Sequence, residues 1–206
     1  SVGQDGGTHQ AIEDIAITRV IPRLTVISPC DSIEAKKATI AAAKMIGPVY
    51  IRLAREKTPI ITTDETPFEI GKAQIFWQPE NKDEKPVAAI VATGALVQKA
   101  LVVAKELEAE GIQMIVVNLS TIKPFDEKTI FEVAKRTGKV VTVEEHQAKG
   151  GMGSAVAEFL SQNYPVPMKI IGVDDQFGQS VTPDELLEHY GLSVANIKKA
   201  VLELVE

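Results

Sequence analysis

Apolar and polar positions alternate along the first part of the chain with two periods, one typical of helices and one of buried strands. Residues 9–20 carry an apolar helical stripe, and residues 24–28 form a short β-rich run. The cap-like sequence Asp31–Glu34 predicts a helix over 33–46, and a second strand follows at 49–53. Helices that alternate with short buried strands indicate a parallel sheet with crossover helices.

The same alternation starts again after a polar stretch, residues 56–67, which lacks periodicity and is predicted to be a linker. The elements predicted beyond it are strands at 68–78, 87–93, 112–119, 139–144 and 166–173, and helices at 95–110, 126–136, 151–163, 183–190 and 194–205. We therefore predict an α/β fold: a partial parallel-sheet domain at residues 1–62, followed by a compact, mostly parallel α/β domain at residues 63–206.

Composition excludes several classes of function. The chain has 22 Lys and Arg against 28 Asp and Glu, a net charge of −6, and it has no basic block, so we expect no nucleic-acid partner. Apolar runs are too short to cross a bilayer and no signal peptide precedes Ser1, so we expect no membrane partner and a cytoplasmic location. Cys30 is the single cysteine, and no Cys/His cluster suggests a metal site.

The glycine-rich opening of the chain holds the first candidate chemistry, Asp5 and His9. A carboxylate there can accept a hydrogen bond from a sugar hydroxyl, and an imidazole that titrates near neutrality can donate or take a proton. The alternative is structural, because acids are common in turns and His9 lies where a helix is predicted to begin.

Two arginines, Arg52 and Arg55, follow a predicted strand at the position where ligands gather in open α/β sheets. The planar guanidinium binds phosphate through two parallel hydrogen bonds, so either residue is a candidate phosphate ligand. The alternative for each is a solvated loop cation.

Three further features favour structural interpretations. Glu144-Glu145-His146 precedes a glycine turn and a helix start, but its two carboxylates would oppose an anion, so we predict a structural or interface role. Cys30 is predicted to be a small buried residue, and His189 a surface residue.

The opening Gly3–Gln10 resembles the G-x-D-G-x-T-H-Q segment of transketolases. The resemblance covers essentially the whole chain, and further segments carry it in the same order: Glu13-Asp14, Leu24–Asp31, Val49–Arg55, Thr121–Asp126, Val143–His146 and Gly150–Gly153. It identifies residues 1–62 as the C-terminal part of a pyrimidine-binding domain and residues 63–206 as the family's C-terminal domain.

The resemblance implies an enzyme that uses thiamine diphosphate and Mg²⁺ to move a two-carbon ketol unit from a ketose phosphate to an aldose phosphate. It assigns Asp5 to a substrate hydroxyl, His9 to proton movement beside the reacting carbon, and Arg55 to the substrate phosphate, with Arg52 as the alternative. The implied partners are sugar phosphates, a homodimer partner and an N-terminal transketolase subunit.

The chain also departs from the family pattern. The family's catalytic glutamate, its pyrimidine-stacking aromatics and its diphosphate segment are not found, so we expect no cofactor-binding residue here and no activity from this chain alone. Gly7 stands where the family usually has Pro, Ala or Ser, and is expected to loosen the turn. The alternatives are a non-catalytic dimerisation or docking module and a fragment of a deoxyxylulose phosphate synthase, which usually carries a second histidine where Gln10 stands. Beta subunits of 2-oxoacid dehydrogenases lack the Thr-His-Gln pattern.

Overall fold

The computed structural model describes residues 3–81 and 84–206 of the 206-residue chain. The first part opens with two 3₁₀ turns and continues with two helices and two strands: Gly3–Asp5, Gly7–His9, α1 Asp14–Arg19, β1 Thr25–Ile27, α2 Ser32–Ala43 and β2 Val49–Ile51. The described residues of the second part form these strands and helices: β3 Gln74–Trp77, β4 Ala88–Ala92, α3 Leu96–Ala109, β5 Met114–Asn118, β6 Thr121–Lys123, α4 Glu127–Thr137, β7 Val140–Gln147, α5 Met152–Asn163, β8 Met168–Val173, α6 Pro183–His189 and α7 Val194–Val205.

The larger sheet has the order β3-β5-β4-β7-β8. Its pairs are parallel except for β3, which runs antiparallel to β5 at one edge, so the prediction of a mostly parallel α/β domain is confirmed. Alternate residues of β4 face two separate cores, with Ile90 packed beside α3 and α7 and Val91 packed beside α4 and α5. Because helices cover both faces, all five positions of β4 and of β5 are buried.

The smaller sheet joins the two parts of the chain. Its order is β2-β1-β6, with β1 parallel to β2 and antiparallel to β6. The sequence analysis did not predict β6, because three residues are too few to show a period and the partner strand is about 100 residues away in sequence. The second part of the chain thus supplies one strand to the sheet of the first part.

Two predicted elements are shorter than expected. The helix predicted over 9–20 begins only at Asp14, because Gln10 is extended and the carbonyl of Ile12 accepts a hydrogen bond from Gln147 N at 2.7 Å. A tertiary contact therefore overrides the local helical pattern. The strand predicted over 68–78 is confined to β3, because Gly71 adopts a positive φ of 87° that extended strands exclude.

The predicted linker has no regular structure but is fixed to α2. The ammonium group of Lys37 donates to the carbonyls of Thr63 and Asp64, at 2.7 and 3.0 Å, and to that of Thr66. Asp31 holds the same stretch from the start of α2. The segment between the two parts is therefore docked against the first part.

Apolar side chains are unevenly exposed over the surface. Most of the exposed large hydrophobic side chains in the described part lie between residues 17 and 60: Ile17, Val20, Ile21, Ile40, Met45, Ile46, Leu53 and Ile60. Burying such side chains against another protein would be favourable. Within the described residues, no helix is both long enough and apolar enough to cross a membrane.

Replacing Ser193 by alanine is expected to lower the free energy of unfolding by about 1 kcal/mol, the usual cost of losing an N-cap side chain. Its hydroxyl accepts from Asn196 N at the start of α7, a helix that packs into the core through Ile197 and Val201. Chemical denaturation measures the loss. The control Ser161→Ala, inside α5 and exposed, should change stability by less than about 0.5 kcal/mol, and equal effects of the two variants would argue against the cap.

Candidate active site

A cavity of about 320 Å³ opens beyond the carboxyl end of β2. Its walls come from the opening segment, from the residues that follow β2, and from the end of β7, which contributes Glu145. Ligands bind at the carboxyl ends of strands in open α/β sheets, because loops diverge there and leave a crevice. Two of the three predicted site residues, His9 and Arg55, line this cavity.

Glycines shape the opening segment. Gly3 and Gly6 adopt positive φ values of 67° and 78°, which glycine accepts without steric cost, and the chain turns twice within seven residues. These turns leave Asp5 and His9 exposed. The Thr8 hydroxyl lies 3.0 Å from His9 Nδ1 and orients the imidazole ring.

Gly7, which the sequence predicts to loosen the turn, permits a close contact with another segment. A Cβ atom at Gly7 would lie 2.6 Å from the carbonyl oxygen of Gly178, so any larger residue would push the loop 174–181 away. That loop also holds the opening segment through Ser180 Oγ, which donates to Gln4 O at 2.6 Å. Gln10 Nε2 donates to Gln179 O at 2.9 Å. The C-terminal part therefore fixes the segment that carries Asp5 and His9.

Asp5 and Arg55 meet directly. Arg55 Nη1 lies 2.8 Å from Asp5 Oδ2 and 3.6 Å from Glu56 Oε1. The Arg55 and Asp5 side chains are 57% and 36% exposed, so water screens the pair and it contributes little stability. Arg55 can therefore exchange this partner for an arriving anion at small cost.

Arg52 has a different environment from Arg55. Its Nε lies 2.9 Å from Asp14 Oδ2, and its Nη2 donates to Ala11 O at 3.0 Å and to Glu145 O at 2.8 Å. Tyr50 completes the group by donating its hydroxyl to Asp14 Oδ2 at 2.8 Å. Burial, together with the nearby Asp14 carboxylate, raises the pKa of Tyr50 to about 12, so the phenol stays protonated. Arg52 is thus held by Asp14 and two carbonyls and is 20% exposed, whereas Arg55 is 57% exposed.

Glu144 and His146 have structural roles, as predicted. The buried Glu144 carboxylate accepts from Met152 N and Gly153 N, both at 2.8 Å, and so caps α5. Burial raises the pKa of Glu144. His146 is also buried; its Nδ1 lies 2.8 Å from Gln147 O and must donate, while its Nε2 accepts from Ala16 N at 3.2 Å. These bonds fit a neutral imidazole that joins β7 to α1.

The predictions for Cys30 and His189 are confirmed: Cys30 is buried and His189 is exposed. Burial, with the Glu34 carboxylate nearby, raises the pKa of the Cys30 thiol. The sequence analysis missed Tyr50, Gln10 and Glu145 as cavity residues. Position alone could have found Glu145, because it directly follows the predicted strand 139–144 at the carboxyl edge of the sheet.

No group of three or more His, Cys, Asp or Glu side chains that could hold a metal ion occurs in residues 3–81 and 84–206. The side chains that do converge at the cavity are a cation, carboxylates and an imidazole, which suit a phosphorylated polyol.

Known proteins match the chain over nearly its whole length. The family model described as transketolase, pyrimidine binding domain, matches residues 1–60, and the model described as transketolase, C-terminal domain, matches residues 79–197. The chain is 42% identical over 202 residues to the 6-deoxy-6-sulfo-D-fructose transketolase subunit of Clostridium sp. (strain MSTE9), covering 98% of this chain and 61% of that protein. It is also 42% identical, over 206 residues, to the putative transketolase C-terminal section of Methanocaldococcus jannaschii, covering 98% of this chain and 62% of that protein.

A 1-deoxy-D-xylulose-5-phosphate synthase of Heliobacterium modesticaldum is 37% identical over 208 residues, covering 100% of this chain and 31% of that protein. Among solved structures, a split gene transketolase described as an inactive beta4 tetramer superposes with a TM-score of 0.87 at 42% identity, over 97% of this chain and 62% of that one. The chain thus spans less than two thirds of each of these relatives. From both domain models and these identities, the chain belongs to the transketolase family.

Proposed function

We propose that this chain supplies the substrate-facing residues of a thiamine diphosphate-dependent transketolase. The reaction would move a two-carbon ketol unit between a ketose phosphate and an aldose phosphate. The observation that carries the proposal is the convergence of Arg55, Asp5 and His9 beside one cavity at the carboxyl end of β2. Membership of the transketolase family supports it.

Each of the three residues has a role that fits its environment. Arg55 binds the substrate phosphate, because its side chain is 57% exposed beside the cavity and water screens its ion pairs with Asp5 and Glu56. Asp5, released from Arg55 by the phosphate, accepts a hydrogen bond from a substrate hydroxyl. His9 holds or moves a proton at the oxygen beside the reacting carbon, and the Thr8 hydroxyl orients its ring.

The cofactor lies largely outside this set of residues. Thiamine diphosphate, when bound, supplies the stabilised carbanion that ketol transfer requires. The family's diphosphate segment is not found in residues 1–206, so we assign Mg²⁺ and diphosphate binding to other parts of the enzyme. A chain of this sequence taken alone is accordingly proposed to transfer no ketol unit.

We further propose that the enzyme assembles from more than one chain, through a homodimer partner and an N-terminal transketolase subunit. The large apolar side chains exposed between residues 17 and 60 support this, since burying them against protein would be favourable. The names of two similar proteins also support assembly from more than one chain: one is a transketolase subunit, and the other is a split gene transketolase tetramer.

Replacing Arg55 by methionine tests the proposed phosphate contact. In the assembled enzyme, Arg55→Met is expected to raise the KM for ribose 5-phosphate about 10- to 100-fold, the usual loss for a charge-assisted contact to one partner. The KM for ribose, which lacks the phosphate, should change by less than about threefold, because ribose never uses the contact. A coupled assay with xylulose 5-phosphate as donor measures both.

The matched control is Lys128→Met, which removes an exposed cation from α4. It should leave both KM values unchanged within about a factor of two, as surface substitutions usually do. Equal losses for ribose and ribose 5-phosphate in Arg55→Met would count against a phosphate contact at this residue.

A deoxyxylulose phosphate synthase is the second candidate, because one such enzyme is 37% identical over 208 residues. The residue at position 10 favours transketolase. Gln10 is buried, and its amide donates to Gln179 O, a bond that ties the opening segment to the C-terminal part. If the assembled enzyme transfers no ketol unit from xylulose 5-phosphate, the second candidate replaces the first.

A further inference from the structure

Arg52 joins three segments that are distant in sequence. It follows β2; its Nε bonds to Asp14 on α1 at 2.9 Å, and its Nη2 bonds to the carbonyls of Ala11 at 3.0 Å and Glu145 at 2.8 Å. The Arg52 and Asp14 side chains are only 20% and 10% exposed, so this ion pair is shielded from water, unlike the one at Arg55. A shielded, multiply bonded guanidinium holds its partners in a fixed geometry.

The segments that Arg52 joins are those that carry the proposed substrate residues. Arg55 lies three residues after Arg52, and Ala11 lies two residues after His9. Two further hydrogen bonds, both donated by backbone amides, join these segments, and we call the place where they meet the junction. Gln147 N donates to Ile12 O at 2.7 Å, and Ala16 N donates to His146 Nε2 at 3.2 Å. The hydrogen bonds of Arg52, together with these two, therefore hold the opening segment, β2 and β7 together.

We propose that Arg52 is a positioning residue that sets the separation between Arg55 and the segment bearing Asp5 and His9, and so lets one phosphorylated substrate engage both ends of the cavity. The inference rests on the proposed function and adds a residue to it. A substrate that must reach two anchors at once is sensitive to their spacing, and a misplacement of 1 Å can cost about a hundredfold in rate.

The chemistry of the junction requires arginine. One guanidinium places Nε against a carboxylate and Nη2 against two carbonyls that lie on different segments. A lysine ammonium is a single point charge and cannot present two separated donors in one plane. We assign the substrate phosphate to Arg55 and not to Arg52, because Nε and Nη2 of Arg52 are engaged and the Asp14 carboxylate beside them repels an anion.

The test uses the assembled enzyme and compares ribose 5-phosphate with ribose as acceptor. We expect Arg52→Met and Arg52→Lys to lower kcat/KM for ribose 5-phosphate at least about tenfold, while the value for ribose falls less than about threefold. Lys128→Met is again the matched control. Equal losses for the two acceptors would mean that Arg52 supports folding alone, and would overturn the proposal.

A double-mutant cycle separates positioning from an independent contact. If Arg52 acts by placing Arg55, the double variant Arg52→Met/Arg55→Met should be no more than about threefold worse on ribose 5-phosphate than Arg55→Met alone, since coupled residues are not additive. Fully multiplicative losses would contradict the proposed dependence of Arg55 on Arg52.

Amide hydrogen exchange provides a readout that does not depend on activity. In Arg52→Met the amides of Ala16 and Gln147, which bond across the junction, should exchange at least about tenfold faster, while that of Val116 in the central sheet stays unchanged. Unchanged exchange at Ala16 and Gln147 would overturn the proposed junction. If the wild-type enzyme transfers no ketol unit to either acceptor, the proposed function fails, and the exchange result still decides whether Arg52 holds these segments together.

Discussion

Replacing Asp31 by alanine is expected to lower the free energy of unfolding by about 3 kcal/mol, because several buried hydrogen bonds to one charged group are lost together. Asp31 is 4% exposed. Its Oδ1 accepts from Glu34 N at 2.9 Å and from Thr62 Oγ1 at 2.8 Å, and its Oδ2 accepts from Ile61 N at 2.8 Å and Thr62 N at 2.7 Å. One carboxylate thus caps α2 and fixes the linker.

The same carboxylate predicts an acid dependence of stability. Burial alone would raise the pKa of Asp31, but the hydrogen bonds from Glu34, Ile61 and Thr62 outweigh it and lower the pKa below its ordinary value. A lowered folded-state pKa contributes stability that is present above the unfolded pKa of about 3.9 and is lost as the pH falls through the folded value. Between about pH 4 and pH 2, wild type should therefore lose stability more steeply than Asp31→Asn.

Urea denaturation at several pH values measures both effects. Asp64→Ala, which removes an exposed carboxylate from the same linker, is the matched control and should change the free energy of unfolding by less than about 0.5 kcal/mol. A loss below about 1 kcal/mol in Asp31→Ala would show that these bonds do not hold the linker in solution.

Replacing His9 by alanine is expected to lower kcat of the assembled enzyme about 10²- to 10⁴-fold, the range that a positioned proton donor or acceptor contributes. The KM for ribose 5-phosphate should change little, because the phosphate is assigned to Arg55. Thr8 engages Nδ1 of His9, and within the described residues Nε2 makes no hydrogen bond, so Nε2 is the nitrogen available to substrate.

Steady-state kinetics with xylulose 5-phosphate and ribose 5-phosphate measure this loss. His189→Ala is the control, since His189 is an exposed histidine at the end of α6 that lies outside the cavity. It should retain activity within about threefold. A His9→Ala enzyme that keeps more than about a third of wild-type kcat would remove His9 from the proton-transfer role.

The helices that bury one regular apolar face were predicted well from the sequence. The helix predicted over 95–110 corresponds to α3, which buries Leu96, Val103 and Leu107, and the bounds predicted for the last helix agree with α7. These elements follow local periodicity, because each packs one stripe against the sheet. The opening helix was predicted too long, because Ile12 belongs to a segment that bonds to Gln147 at the end of β7.

The candidate site likewise contains residues that could be proposed from the sequence and one whose contacts only the structure reveals. Asp5, His9 and Arg55 were found through a family resemblance, and their contact roles stay predictions. The role of Arg52 had no sequence signal, because its partners at Ala11 and Glu145 are backbone carbonyls. Backbone atoms are the same in every residue, so only the fold reveals that these two carbonyls meet.

The close contact between Gly7 and Gly178 could not be predicted from the sequence for a related reason. Its neighbour Gly178 lies 171 residues later in the chain, and no local pattern links the two. The predicted domain boundary between residues 62 and 63 also stays a prediction. What the structure adds is that β6, from the second part, pairs with β1 in the first, so the two parts share a sheet.

Ketol transfer from xylulose 5-phosphate to ribose 5-phosphate, with and without an N-terminal transketolase section, tests the central claim most directly. With thiamine diphosphate and Mg²⁺ present throughout, this chain alone should show no turnover. Addition of the N-terminal section should give a kcat of about 1 s⁻¹ or more, within the ordinary range of enzymes. That activity should be lost in Asp5→Ala and His9→Ala. Full turnover by this chain alone would contradict the assignment of cofactor binding to other parts of the enzyme. Assembled activity that survives both substitutions would contradict the assignment of Asp5 and His9 to a transketolase substrate site.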